Sequence, residues 1–300
     1  MSKFTTLLNV IRNRQNLIAP LGANGVFKWM TDEQYLKMLY KSVMHKELNL
    51  SNPRTFNEKL QWLKIHDKNP AYTEFVDKIA AKKKVGSIIG VEHIVKTYAI
   101  WDTAEQIDLS VLPQKVVLKC NHDQGSVMLI KNTQEQDLDS IKKNYKQRLR
   151  HSPFNGTREY AYKGIVPKVF AEEFLDDRII DYKFYCFNGE PKFLYCGQGL
   201  TIDHSLKIDF FDMDWEVMPF YRTDYHRLGQ IEKPKQFEKM KEIAHTLSRG
   251  VPFVRIDLFE VDGDVYFSEF TLCPASGFMP FEPEEYDEIV GNWLNLDGIK

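Results

Sequence analysis

What the chain has little of narrows its class. Only four cysteines occur in 300 residues, Cys120, Cys186, Cys196 and Cys273, and no two form a C-x-x-C pair. That spacing argues against a zinc motif or a disulfide framework and predicts reduced, partly buried thiols. No run approaches the ~18 apolar residues of a membrane span. The N-terminus, MSKFTTLLNVIRNRQ, lacks a signal-peptide pattern and reads as an amphipathic helix. A cytoplasmic protein without an integral membrane segment is therefore expected. Charge of one sign is missing too: 40 Lys and Arg oppose 42 Asp and Glu, for a net charge of −2. With a pI near 6.5, no footprint for nucleic acid or an anionic membrane is expected. There is no internal repeat, low-complexity segment or long linker, and nothing that sets an oligomeric state.

What remains is an ordinary globular composition, 43% hydrophobic and 27% charged. Aromatics reach 13%, with 20 Phe and 14 Tyr, which suits strands and the walls of a cofactor site. The first third patterns as helix. Thr31 with Gln34 and Thr55 with Glu58 fit capping boxes, followed by Tyr35, Met38, Leu39 and Val43, and by Phe56, Leu60 and Leu63, at helical spacing. A third helix is expected from about Thr73 to Val85, and GVEHIVKTYAIWD follows as strand-like material. Strands dominate from Val116, interrupted by helices over roughly Asp137 to Leu149 and from Pro234 to just before Gly250. The fold class expected is α+β. Asn188-Gly189 and Asp262-Gly263 each mark a hairpin.

Two stretches carry chemistry. In VVLKCNHDQGSVMLIK, Lys119 lies within an apolar run, a few residues before a loop holding Gly125 and Ser126. An edge-strand lysine that blocks aggregation would look the same; a phosphate site built from a strand lysine and loop N–H groups is the alternative. In VPFVRIDLFEVDGDVYFSEF, alternation puts Val254, Ile256 and Leu258 in the core and Arg255 and Asp257 on the accessible face. A two-residue turn would pair Asp257 with Ser268 and bury Glu269 unpaired, at a cost of several kcal/mol. A three-residue loop, Val261 to Gly263 with Gly263 in a G1 bulge, sets Arg255 opposite Glu269 and Asp257 on its diagonal. Asp257, Glu269 and Thr271 then converge, and such oxygen ligands suit Mg²⁺, which fills its shell with nucleotide phosphates. A surface Arg–Glu cross-strand pair is the plainer reading of the hairpin.

Taken in order, NPRTFNEKLQWLK, the Asp77-Lys78 pair, KVVLKCNHDQGS, YKGIVPKVFAEEFL, DYKFYCFNGEPKF, VRIDLFEVDGDVYFSEFTLCPASGF and FEPEEYD resemble the TupA-like ATP-grasp family of the carboxylate–amine ligase superfamily. The resemblance implies two α+β subdomains clasping ATP: residues 116–175 as the smaller, 176–300 as the larger with the metal site, and 1–115 as a mainly helical region, a reduced substrate domain. It implies ATP and Mg²⁺, or Mn²⁺ in its place. Lys78 and Lys119 match the nucleotide lysines, and Gln124, Gly125 and Ser126 the loop that closes over phosphates. Glu172 matches the acid that accepts from the adenine amino group, with Glu173, Phe174 and Leu175 completing the hinge edge, and Asp181 sits at a ribose-binding position. Lys183 and Arg255 match the cations that stabilise transferring phosphoryl and acyl phosphate, and Asp257 and Glu269 the metal carboxylates. Thr271 departs from the asparagine common two residues after the metal glutamate. The activity implied is amide formation between a carboxylate and an amine, in bacterial surface polysaccharide synthesis of the capsule or teichuronopeptide kind. No general base stands out; His122 is a candidate that reads more simply as a solvated loop residue.

Two other enzymes fit parts of the pattern. Asp212-Met213-Asp214 is a D-x-D of the kind that holds a metal–nucleotide-sugar in glycosyltransferases, or else a turn into Trp215. A kinase on the same ATP site would share its nucleotide and metal residues. A binding module without catalysis would leave the lysines and carboxylates without a role.

Overall fold

Threonine caps start the helical part of the chain. The computed structural model describes residues 18–176, 179–198, 207–229 and 231–299; the helix expected at the N-terminus lies outside the described residues. After α1 (Ile18–Ala23), helices α2 (Asp32–Met44) and α3 (Phe56–His66) begin at Thr31 and Thr55, and both capping boxes form. The third expected helix is broken. A single turn, Thr73–Val76, ends at Asp77, whose Oδ1 accepts from the N–H groups of Ile79 and Ala80 and so caps α4 (Lys78–Ile89). An aspartate is a better N-cap than an interior residue, and the break sets Lys78 at the first position of α4.

The strands form two main sheets. In chain order come β1 (Thr97–Trp101), β2 (Val116–Cys120), β3 (Met128–Ile130), helices α5 (Leu138–Arg148) and α6 (Pro153–Thr157), then β4 (Val169–Glu173). The four strands pair in the antiparallel order β1-β4-β2-β3. Val116, Leu118 and Cys120 face a core closed by Ile141 and Tyr145 of α5. Because side chains alternate, Lys119 must take the opposite face.

The second sheet is built from β5 (Asp181–Phe187), β6 (Glu190–Gln198), β7 (Lys207–Asp212), β9 (His226–Arg227), β10 (Phe253–Val261) and β11 (Asp264–Thr271). Its order is β11-β10-β5-β6-β7-β9, and β8 (Tyr221–Arg222) pairs separately with β12 (Phe281–Glu282). Helix α7 (Phe237–Ser248) starts three residues after Pro234, later than punctuation alone predicts, but its stripe of Phe237, Met240, Ile243, Ala244 and Leu247 is buried as expected. It covers the face carrying Tyr182, Phe184, Val254, Ile256 and Leu258.

The opposite face is not open, as alternation alone suggested. Tyr185, Phe187, Phe193 and Phe253 pack there against Phe56 of α3 and against α8 (Tyr286–Gly291). Beside this aromatic layer Asp257 is fully buried and Arg255 is 8% exposed.

The carboxylate hairpin also corrects its expected register. The turn has two residues, Asp262 and Gly263, both at positive φ (53° and 88°), and Val261 faces Asp264. The offset comes instead from a bulge inside β11: Leu258 faces Phe267, whereas Asp257 faces Glu269. The cause is visible in the side chains. Phe267 and Phe270 both belong to the core and their rings lie 4.8 Å apart. Residues three apart can share one face of a strand only if one extra residue is inserted between them, and Ser268 is that residue. Glu269 therefore lies directly across from Asp257, and Arg255 across from Thr271. The four share a face, as expected, by another route. An alanine at Gly263 would meet nothing within 4 Å, so its cost is left-handed backbone strain alone, about 1–2 kcal/mol. Denaturant melts of Gly263→Ala should show that loss with an unchanged m-value.

Candidate active site

The bulge aligns a polar row across four strands. Tyr195 on β6, Lys183 on β5, Asp257 on β10 and Glu269 on β11 are successive partners, with Tyr185, Arg255 and Thr271 in the next row. Arg255 grips Asp257 with both arms, Nε to Oδ1 at 2.7 Å and Nη2 to Oδ2 at 2.6 Å. Lys183 donates to the same Oδ2 at 2.5 Å and lies 3.4 Å from Asp181. Burial would lower the Lys183 ammonium, but Asp181 and Asp257 raise it above its ordinary value. Burial raises Asp181, and Asp257 and Glu269 add to that against the pull of Lys183.

Glu269 is held differently. Lys78 lies 3.4 Å from Oε2 and Arg255 3.5 Å from Oε1, both longer than good charged hydrogen bonds. Burial pushes its carboxyl up, yet Lys78, Lys183 and Arg255 together hold it at about 2. Being depressed, the group adds stability in full above its unfolded value, near 4.5, and that stability disappears as pH falls through about 2. The unfolding free energies of the parent and Glu269→Gln should therefore differ most above about pH 4.5 and converge toward pH 2, as measured by denaturant titration.

The four-stranded sheet supplies the facing wall. Glu172 on β4 lies between two lysines, Lys119 of β2 at Oε1 and Lys82 of α4 at Oε2, the latter at 2.5 Å. Burial would raise Glu172; the two ammonium groups outweigh it and hold the carboxyl below its usual range. Lys82 also donates to Val95 O at 3.0 Å and lies 5.3 Å from the Phe170 ring centre. It was absent from the residues singled out in the sequence. Its spacing of four from Lys78, one turn along the same helix face, is the signal that could have found it.

Lys78 links the two walls. Its Nζ donates to Asp123 O at 2.6 Å in the loop after β2 and approaches Glu269 from the other sheet. Asn121 ties that loop down, donating to Asp77 Oδ2 and accepting from Lys168 N. Within the loop Gln124 and Gly125 are exposed, whereas Ser126 is buried: its Oγ accepts from Cys120 N and its carbonyl accepts from Tyr145. His122, expected in solvent, is 2% exposed, and burial lowers its pKa. Beyond β4, Phe174 and Leu175 leave the sheet half-buried beside Glu173.

A buried polar stripe on α3 was also missed behind its apolar one. Asn57 bonds Met279 and Asp287, Gln61 donates to the carbonyls of Ser276 and Gly277, and Lys64 donates to Ser276 O at 2.7 Å. These bonds hold a turn in which Ala275 and Ser276 take positive φ. A Cβ at Gly277 would come within 2.5 Å of Gln61 Nε2, so that position needs glycine.

The D-x-D is a turn. Asp212 Oδ1 accepts from the N–H groups of Asp214 and Glu216, and Trp215 follows at φ 71°. Asp212 is thus committed to its own backbone, three strands away from β10.

The donors on the β10–β11 face fit Mg²⁺ in part. Among the described residues Thr271 Oγ1 is buried without a hydrogen-bond partner and Glu269 has only long contacts, which leaves two adjacent oxygen donors for a cation that brings phosphate ligands. Asp257 differs, since Arg255 and Lys183 occupy both its oxygens. Among the described residues no group of three or more His, Cys, Asp or Glu forms a ready metal cage.

A solved D-alanine–D-alanine ligase from Bacillus anthracis, complexed with ATP, is 14% identical, with a TM-score of 0.42 over 74% of this chain and 60% of that one. An L-amino acid ligase from Bacillus licheniformis is also 14% identical, with a TM-score of 0.43 over 83% of this chain and 57% of its own. The ATP-grasp ligase PsnB, complexed with minimal precursor, Mg and ADP, is 11% identical, with a TM-score of 0.40 over 83% and 65%. The chain thus spans about 60% of the length of these ligases. No curated protein matches its sequence. The family model described as TupA-like ATPgrasp matches residues 58–295, from α3 to the end of the second core. The chain belongs to the TupA-like ATP-grasp family.

Proposed function

We propose that the cleft between the two sheets binds ATP and that the chain is an ATP-dependent carbon–nitrogen ligase joining a carboxylate to an amine. The observation that supports this best is the arrangement of cations. Lys82 and Lys119 on one wall and Lys183 and Arg255 on the other flank the cleft, with Lys78 touching both walls. Such a set suits a polyphosphate whose terminal group moves between two oxygens.

In this reading the four-stranded and six-stranded sheets are the two jaws: the first adds β1 (Thr97–Trp101) to the strands of 116–175, and the second lies within 176–300. Lys119 holds ground-state phosphate and Glu172 positions it, while Gln124, Gly125 and the backbone of Ser126 cover the phosphates. Glu173, Phe174 and Leu175 border the base, and Asp181 borders the ribose. Glu269 and Thr271 would hold Mg²⁺, which supplies positive charge to the phosphate oxygens when bound, and Asp257 would join them once Lys183 turns away. Lys183 and Arg255 stabilise the charge that develops as the γ-phosphoryl leaves ADP for the carboxylate oxygen. The amine nitrogen then bonds to the acyl carbon, the carbon–oxygen bond to phosphate breaks, and the nitrogen gives up its proton. The family likeness favours a sugar acid or amino acid of surface polysaccharide synthesis as the acid.

Incubation with ATP, Mg²⁺ and a panel of sugar acids, amino acids and amines should release ADP and phosphate only when both an acid and an amine are present. Release of phosphate with no acid requirement, or of AMP and pyrophosphate, would overturn the ligase reading.

A further inference from the structure

Beside the loop that covers the phosphates, and sharing Gln124 with it, is a cavity of about 310 Å³ whose other lining residues the reading above leaves without a role. Its lining joins apolar side chains, Leu39 and Val43 of α2 and Phe278, to polar ones, Asp123, Glu159 and Ser276. We infer that this cavity takes the amine substrate, as a primary ammonium on a small apolar or sugar body, with Asp123 and Glu159 as its counter-charges. The inference rests on the ligase reading for the identity of the amine as substrate, but not for the chemistry of the pocket.

Asp123 supplies the strongest observation. It is 5% exposed and lines the cavity, and its Oδ1 is buried with no hydrogen-bond partner. Arg148 reaches only the other oxygen, at 3.5 Å. A buried carboxylate oxygen left unpaired is costly, and an ammonium group, with three donors, relieves that cost once the side chain turns toward the cavity. Glu159, also in the lining, is buried and accepts from Ser276 Oγ at 3.1 Å. Lys64, the nearby cation, directs its ammonium to Gln61 Oε1 and to Ser276 O. Burial raises the Glu159 carboxyl, with Lys64 opposing, so an arriving cation would favour its ionised form.

The sign of the lining selects between the two substrates. Two carboxylates in one lining repel the acid and attract the amine. Position agrees: the carbonyl of Asp123 takes the Lys78 ammonium, which itself lies 3.4 Å from Glu269. A nucleophile held in the cavity thus abuts the phosphoryl end of the cleft. The volume is at the lower end of small-molecule sites, roughly 300–1,000 Å³, which suits an amino acid or an amino sugar.

Matched probes test this without turnover. Binding of L-alaninamide and D-glucosamine, and of their N-acetyl counterparts, is followed by ligand-observed NMR on the full chain, with AMP-PNP and Mg²⁺ present and absent. At least one free amine should bind, and its N-acetyl counterpart should not. Asp123→Asn and Glu159→Gln should each weaken the amine tenfold or more, and Val43→Phe, which fills the apolar part of the lining but leaves both carboxylates, should abolish binding. Glu159→Gln should still bind AMP-PNP, which shows that it is folded. Equal binding of amine and N-acetyl probe, amine affinity unchanged in Glu159→Gln, or no bound amine would overturn the inference. Failure of the parent protein to bind AMP-PNP would instead remove the ligase reading, and the amine result would stand apart from it.

Discussion

Glu269→Ala should lower kcat by about 10²–10³-fold while leaving nucleotide affinity little changed. Its carboxylate lies between Lys78 and Arg255, beside the unpartnered hydroxyl of Thr271, and is held at about 2 by the surrounding cations. It is ionised at every working pH and, unlike Asp257, its oxygens are only loosely engaged. A metal there offsets charge mainly as phosphoryl moves, so its loss is felt in the chemical step more than in ground-state binding. Steady-state kinetics and AMP-PNP titration of the variant separate the two effects. Near-normal kcat at ordinary Mg²⁺ would show that the metal is held elsewhere.

The second large effect is on stability. Asp257 is fully buried and is the shared counter-charge of Arg255 and Lys183, so Asp257→Leu leaves two buried cations facing an apolar side chain. Breaking a buried pair from one side costs about 3–5 kcal/mol, and here the remaining charge is double. Lys183 keeps Asp181 at 3.4 Å, and Arg255 keeps Glu269 at 3.5 Å, which limits the loss to that range rather than beyond it. Urea or guanidinium melts read it directly. A loss below about 1 kcal/mol, the scale of an ordinary substitution, would mean that Asp257 does not anchor the polar row.

Much of this architecture was legible because it follows from local chemistry. The capping boxes at Thr31 and Thr55, the stripe of α7 and the hairpin positions at Asn188-Gly189 and Asp262-Gly263 are short-range patterns, and each fixes its own backbone. The shared face of Asp257 and Glu269 was legible as well, since burying Glu269 unpaired is costly. The wrong device was assigned to it because Asp262-Gly263 drew attention to the turn. The spacing of three between Phe267 and Phe270 carried the right answer, because two core aromatics so placed demand a bulge between them.

Other features depend on contacts distant in sequence. Alternation told which side Arg255 and Asp257 take, but the aromatic layer on that face includes Phe56, from a helix some 200 residues earlier. Lys82 looked like one charge in KKK until Glu172 was placed opposite it. Asn57, Gln61 and Lys64 follow a helical spacing of four and three, a polar stripe that amphipathic reasoning assigns to solvent although its partners are the backbone of residues 276–279. The pairing of Asp123 with Glu159 in one cavity joins two loops and has no local signature.

Calorimetric titration of the intact chain with AMP-PNP and Mg²⁺, alongside UDP-glucose and Mn²⁺, tests the central claim that the two-walled cleft is an ATP site. The account predicts binding of AMP-PNP with Mg²⁺, a loss of affinity of about tenfold or more in Lys119→Ala from one missing charged hydrogen bond, and no binding of UDP-glucose. Binding of UDP-glucose with Mn²⁺ and none of AMP-PNP would contradict it.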